Sequence, residues 1–321
     1  MASKKRTKTP AVRYLRYNVV NSANAGTETS HFINLARDLS AVNRRLYRSG
    51  KLYHVKRITV VSSNTIAGWS VNGLTGFPLQ QNAGRLSVSV IPDSWTSRAA
   101  FNRGKKTWME MQKVAMAQAA GDITATWNDF KVDMSVDFRS AAKLIPIDNG
   151  NNPVQLGEWI ESRLVSPDGT SGEDTFSLHM LGDHTGSTGA WGSVGLIKSY
   201  GESRATVNAG DPNVPGTVSD DPLVNVFDYG TTIDEVINDM EMHNDLPPYV
   251  ITDYVGGDAN MPKPIVVQDG AISDGRLTLG GFSCLLGQIE IECTAPNDGD
   301  VYSVLVELAE GSYRGIKGES F

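Results

Sequence analysis

The sequence predicts a mainly β chain folded as two domains, each a barrel of strands with one helix beside it. Three observations carry that expectation. The chain has 321 residues, more than the roughly 250 to 300 at which a single core stops growing. Its 32 glycines and 14 prolines are scattered between short apolar runs, the pattern of many turns and few long helices. The order strands, one amphipathic helix, more strands occurs twice, on either side of a turn-rich segment at 166–174.

Residues 1–30 mix basic side chains with Asn, Ser, Ala, Gly and Thr and hold no sustained period, which reads as an arm that orders only against neighbours. The first barrel is expected over 31–170. A short helix is expected at 39–47, then strands at 55–61 and 86–90, the latter alternating apolar residues with serine. Pro92, Asp93 and Ser94 stop that strand. The run 96–119 then places Phe101, Trp108, Met111 and Ala115 on one helical face, read as core. The strongest alternation is 130–138: Phe130, Val132, Met134, Val136 and Phe138 point one way, Lys131, Asp133, Ser135 and Asp137 the other. It predicts a strand with one buried and one wet face. A turn at 148–153 and an apolar stretch at 159–165 follow.

The second barrel is expected over 171–321. Strands are read at 175–181 and 193–200, then a polar loop at 201–222 and a helix at 232–244. That helix opens on a capping box of Thr232 and Glu235 and is closed by Pro247 and Pro248. Late strands at 264–267, 276–280, 288–293 and 301–308 are separated by Asp-Gly turn signals at 269–270, 274–275 and 298–299.

Charge divides the chain as well. Residues 1–113 carry 19 Lys+Arg against 4 Asp+Glu, and the remainder 10 against 32. The basic side chains Lys4, Lys5, Arg6, Lys8, Arg13 and Arg16 read as a segment that meets phosphate, on nucleic acid or on lipid head groups, with a solvated tail as the competing reading. The acidic remainder suits a water-facing part. No apolar run follows the basic stretch as a secretory signal requires, and none approaches the roughly 20 residues that span a bilayer. Cys284 and Cys293 read as two small buried hydrophobes in a reducing compartment.

A search for catalytic sets yields little. The five histidines include no HExxH and no pair at metal-ligand spacing. Asp183, His184 and Ser187 lie among glycines but form neither a nucleophile elbow nor a P-loop, and a loop between strands is the simpler reading. Asp211, Asp220 and Asp221 lie in one acidic loop, where calcium ligation competes with plain solvation. Arg98, Arg103, Lys105, Lys106 and Lys113 on the first long helix offer at most non-specific contact with a nucleic-acid backbone. The expectation is no enzyme, no cofactor and no metal.

Two strand-helix-strand halves, a basic arm and long polar loops together resemble the double jelly-roll major capsid proteins of tailless icosahedral viruses. The compact size looks like the smaller members, such as those of membrane-containing single-stranded DNA bacteriophages. The resemblance implies two eight-stranded jelly rolls in tandem and a homotrimer whose six barrels form a pseudo-hexameric capsomer. It further implies contacts with neighbouring capsomers and with minor capsid proteins such as a penton, and a place in the virion after synthesis in the host cytoplasm. The basic arm would face an internal membrane or the genome, and the loops at 62–84 and 201–222 would face outward or meet neighbours. The rivals are a single jelly-roll coat protein with a projecting domain and a carbohydrate-binding β-sandwich in which Trp69, Trp159 or Trp191 stacks on sugars. A hydrolase using His184 and Asp183 comes third.

Overall fold

A computed structural model describes residues 10–62, 69–71, 74–76, 84–118, 129–165, 175–187, 190–205, 254–272, 275–296 and 298–321. Along the chain run β1 (Tyr14–Val20), β2 (Glu28–Asn34), α1 (Leu35–Asn43), β3 (Leu52–Ser62), a hairpin of β4 (Trp69–Val71) with β5 (Leu74–Gly76), and β6 (Arg85–Val90). Next come α2 (Trp95–Gln118), α3 (Val136–Ser140), β7 (Arg163–Val165), β8 (Thr175–His179), β9 (Thr185–Ser187), β10 (Ala190–Gly195) and α4 (Leu196–Ala205). The chain closes with β11 (Ile265–Ala271), β12 (Arg276–Leu279), β13 (Phe282–Leu285), β14 (Gln288–Thr294), β15 (Val301–Leu308), β16 (Glu310–Tyr313) and β17 (Gly318–Glu319).

The mainly β expectation holds. Two antiparallel sheets pack as a sandwich, one in the order β1-β15-β3-β12 and the other β11-β6-β14-β2. Period-2 alternation builds the core between them: Leu15, Tyr17 and Val19 of β1 and Tyr302, Val304 and Val306 of β15 point inward from one sheet. Ile33, Val88, Ile289 and Ile291 meet them from the other. In both sheets, strands from the two ends of the chain alternate.

That pairing does not follow the expected division at 170/171. β1 lies inside the segment read as a loose arm, yet it is hydrogen-bonded to β15 from Tyr14↔Glu307 to Val20↔Val301. β2 pairs with β14, and β3 with β12, β13 and β15. The described strands therefore form one sandwich of this kind, with residues 91–264 inserted between β6 and β11. The physical reason is that the N-terminal strands have their hydrogen-bonding partners in the last 60 or so residues, which the repeated local pattern could not reveal.

β12 and β13 share one register against β3 and are separated by Gly280 and Gly281. A Cβ at Gly281 would lie 2.8 Å from the Lys56 carbonyl oxygen, so only glycine fits opposite this point of β3. There the pairing with β15 also shifts, between Glu307 and Leu308. The bulge puts Lys56 and Arg57 in succession against one carboxylate, at 2.8 Å and 2.5 Å from Glu307.

The insertion has its own core. Ile91, Phe101, Phe130, Val132, Met134, Phe138, Leu178, Met180 and Ile197 pack with Phe32, Leu52, Leu285 and Leu286 from the edge of the sandwich. Its small sheet runs β7-β8-β10-β9, with β8 and β10 parallel.

Several local expectations are corrected here. Residues 130–138 are not one strand. The Ser135 side chain accepts from the Phe138 backbone N–H and caps α3, while Asp133 and Ser135, expected on the wet face, are buried. The first helix starts at Leu35 because Asn34 caps it. Residues 193–200 change from strand to helix at Leu196. Asp269 and Gly270 pair with Ser87 and Leu86 inside β11 and are no turn, whereas Gly299, at φ 60°, does turn between β14 and β15.

The long helix stands as α2, but its apolar stripe is core only at the start. Phe101 is buried, Trp108 and Met111 are half-buried, and Ala115 is exposed. Among the described residues no helix is long and apolar enough to cross a membrane. The helix expected at 232–244 and most of the loops at 62–84 and 201–222 lie outside the described residues.

Candidate functional site

Of the basic segment, Lys4, Lys5, Arg6 and Lys8 lie outside the described residues. Arg13 and Arg16 are tied into the body. Arg13 pairs with Glu310 at 3.5 Å. Arg16 donates to the Asp148 carbonyl at 3.0 Å and to Asn151 Oδ1 at 3.1 Å, pinning the turn at 148–151 over β1.

The register β1-β15-β3 places Tyr14, Arg16, Asn18 and Val20 on the outer face beside Leu305, Thr59 and Val61. Tyr14, Val20, Val61 and Leu305 are exposed there, Val20 by 59%. Glu307 is the buried hub of this face. Besides Lys56 and Arg57 it accepts from the Tyr14 hydroxyl at 3.2 Å, and the Lys56 hydrogen bond holds its carboxyl below the usual carboxylate range.

Asp183 and His184 come together with groups the sequence did not connect to them. The Lys198 ammonium lies 2.5 Å from Asp183 and 3.0 Å from Asp258, and its hydrogen bond to Asp183 lowers the Asp183 pKa. His184 Nδ1 accepts from the Gly195 backbone N–H at 3.1 Å, and its Nε2 lies 3.2 Å from Glu202. The two ring nitrogens thus fasten the turn before β9 to the end of β10 and to α4. His179 is also consumed: Nδ1 lies 2.7 Å from the Ser193 hydroxyl and Nε2 2.9 Å from the Asp183 carbonyl. Burial pushes its pKa down to about 4. Of the Ser187 side chain nothing is described.

The acidic loop with Asp211, Asp220 and Asp221 lies outside the described residues, and among those described no three His, Cys, Asp or Glu side chains converge as metal ligands. Arg98 makes a bidentate pair with Asp93 at 2.6 and 2.8 Å, and Arg103 donates to the Ser203 hydroxyl. Lys105, Lys106 and Lys113 are exposed on α2. Trp159 is half-buried against the sandwich core with the Lys131 ammonium 5.0 Å from its ring centroid; the Trp69 and Trp191 side chains are not among those described. Both cysteines are buried and free, the Cys293 thiol pushed up to about 12 by burial.

Sequence reading missed two buried acids. Asp38 accepts from the Tyr17 hydroxyl at 2.7 Å and from Arg37 Nε at 2.8 Å, and burial raises its pKa to about 6. Asp133 borders a cavity of about 330 Å³ lined also by Arg139, Glu161 and Arg163. Neither of its carboxyl oxygens has a hydrogen-bond partner, the Lys143 ammonium is 3.7 Å away, and burial raises its pKa to about 7. The one signal for it was Ser135 three residues before Phe138, a helix cap inside an apparent strand. Chemically, this carboxyl exchanges a proton near neutrality.

No family model, no curated protein and no solved structure matches this chain.

Proposed function

We propose that the chain is a coat protein that assembles with copies of itself into a shell, built around one jelly roll per chain with residues 91–264 as an inserted, projecting domain. The observation that carries the reading is the strand order. Sheets β1-β15-β3-β12 and β11-β6-β14-β2 wind the chain ends together as interlocked Greek keys, the jelly-roll order found in viral coat and lectin domains. Of the two capsid arrangements considered from the sequence, this order favours the single barrel over the tandem pair, because strands from both sides of residue 170 share every sheet of the sandwich.

Fold alone does not assign function. The coat reading over the lectin reading rests on two further features. A basic segment leads directly into edge strand β1, and the outer sheet face exposes Tyr14, Val20, Val61 and Leu305, apolar surface of the kind covered by partners. Trp159, the sugar-stacking candidate, instead lies half-buried under Lys131.

The test is light scattering on a sizing column with negative-stain microscopy, on the full chain at low and moderate salt. Closed shells or ordered oligomers are the expected result. A chain that stays monomeric across concentration and salt overturns the reading, and glycan binding then becomes the next assay.

A further inference from the structure

Asp133, Lys143 and Glu161 meet beside a cavity of about 330 Å³ that both acids line. The Lys143 ammonium lies 3.7 Å from Asp133 Oδ1 and 3.5 Å from Glu161 Oε1. The Asp133 and Lys143 side chains are withdrawn from water, at 1% and 12% exposure, whereas Glu161 reaches it at 29%. The ammonium also sits 4.9 Å from the centre of the Phe138 ring. An ammonium and a carboxylate usually close to about 2.7 to 2.9 Å, yet here neither Asp133 oxygen accepts a hydrogen bond.

The backbone holds the two ends in place. Lys143 is bridged to Phe32 of β2, and Asp133 to His179 of β8, with the Asp133 carbonyl accepting from the Met180 N–H at 2.9 Å. Between them the chain passes through α3. Burial raises the Asp133 pKa to about 7, with Glu161 adding to the shift and Lys143 and Arg139 opposing it. Near neutrality much of this carboxyl is therefore uncharged, the form that an amine can attack.

We propose that Lys143 Nζ and Asp133 Cγ condense to an intramolecular amide, a covalent staple across α3, with Glu161 as the proton carrier. The Lys143 ammonium gives a proton to the Glu161 carboxylate, and the freed lone pair forms the C–N bond. The carbonyl electron pair moves onto oxygen. Arg139 lines the same cavity with its buried Nη1 lacking a hydrogen-bond partner, and it is the cation at hand for that oxyanion. The pair then returns, the bond from Cγ to the hydroxyl breaks, and the hydroxyl leaves as water with the proton held by Glu161. The second proton lost by Nζ passes to solvent through the same carboxylate. One ammonium and one carboxylic acid thus become one amide, one water and one proton, with no oxidant or reductant. Amide formation is unfavourable between free groups in water, but effective molarities of about 10⁵ to 10⁸ M for oriented pairs offset that. The fresh chain carries the free pair, to which the titrating carboxyl belongs, and the amide accumulates on standing. The reaction is read on the single chain and does not rest on the coat reading.

The test is intact-mass spectrometry of the full chain, denatured for measurement after incubation near neutral pH. The expected result is a mass about 18 Da lower, one water, appearing with time. Trypsin should then fail to cut after Lys143 and should yield residues 132–139 joined to residues 140–163, with fragment ions placing the link at Asp133. Lys143→Arg keeps the charge but supplies no nucleophilic amine, so it should fold with the parent's circular dichroism and keep its full mass. Glu161→Gln should slow the mass change about a hundredfold. An unchanged mass in the folded parent overturns the proposal. So does a loss of water that persists in Lys143→Arg, which would mark a succinimide at an Asp-Gly pair such as Asp269 and Gly270. A rate unchanged by Glu161→Gln overturns the proton route.

Discussion

The sandwich and the insertion both bury aspartate, and they treat it differently. In the sandwich, Asp38 is held by Tyr17 and Arg37, and Glu307 by Lys56, Arg57 and Tyr14. In the insertion, Asp133 keeps two carboxyl oxygens without a hydrogen-bond partner beside a cavity. The sandwich is specified by long ladders, and Asp38 and Glu307 each lie 2.5 to 2.8 Å from a cation. The insertion is shorter in its strands, leans on the sandwich edge through Phe32, Leu52, Leu285 and Leu286, and carries in its interior an acid whose ion pair with Lys143 is longer, at 3.7 Å. Burying a carboxylate without a hydrogen bond is costly, so the insertion should be the less stable region.

The largest expected effects test whether the two regions open separately. Ile58→Ala in the sandwich core should cost about 2 to 5 kcal/mol, and Phe101→Ala in the insertion about 3 to 5 kcal/mol. Phe101 packs on Phe130 and Phe321 with ring centroids 5.2 Å away in each case. Cys284 and Cys293 lie in β13 and β14, so thiol labelling in rising denaturant reports on the sandwich alone. Ile58→Ala should bring labelling to lower denaturant. Phe101→Ala should shift the far-ultraviolet transition and leave labelling where it was. If Phe101→Ala releases both thiols in step with the circular dichroism change, the regions are one cooperative unit and the comparison fails.

What was legible in the sequence follows the same division. In β3, β6, β14 and β15 the alternation of apolar residues marks strands, because one face of each meets a core; β1 alternates too but falls within the arm expected over 1–30. Which strands pair was not legible, since Tyr14 and Glu307 are neighbours only through a ladder spanning almost the whole chain. Inside the insertion even the local period misleads. Residues 130–138 alternate like a strand, but both sides of 132–135 are buried, and the Ser135 cap turns the chain into α3. The basic segment was visible as composition.

The next effect is pH dependence, and it compares the two acids directly. The Asp133 carboxyl has its folded pKa raised from 3.8 to about 7. The folded state therefore holds its proton where the unfolded state has lost it, and this group's contribution to stability falls as pH rises from about 4 to about 7. Asp133→Asn removes that slope. The variant's stability relative to the parent should rise by about 4 kcal/mol over the window, at about 1.36 kcal/mol per unit. Asp38→Asn should show the same sign over a narrower window, from about 4 to about 6, because Arg37 and Tyr17 partly offset the burial. His179 works in the opposite sense. With its folded pKa lowered to about 4, it favours the folded state increasingly as pH rises from about 4 to about 6.5, which flattens the parent's profile there. Urea midpoints across pH 4 to 8 measure all of this. A difference between Asp133→Asn and the parent that does not change with pH would mean that Asp133 is solvated and the contrast between the regions is false.

The smallest effect concerns helix starts. Asn34 caps α1 by accepting from the Arg37 N–H at 3.1 Å, and Ser135 caps α3 by accepting from the Phe138 N–H at 3.1 Å. Each cap is worth about 1 kcal/mol against alanine. The outcomes should still differ, because the neighbours differ. Asn34 is also the last residue of β2, paired with Gln288, and the Leu35 N–H donates to Gly287 at 2.7 Å, so the start of α1 stays fixed by the ladder when the cap is lost. α3 has only five residues, and Phe138 is buried within it against Phe32 at 5.4 Å. Ser135→Ala should therefore speed amide hydrogen exchange through 136–141, whereas Asn34→Ala should leave exchange in α1 nearly unchanged beyond its first turn. Equal protection in the two variants would show that tertiary packing holds α3 as firmly as the ladder holds α1, and the insertion would then be no softer than the sandwich at the point where they meet.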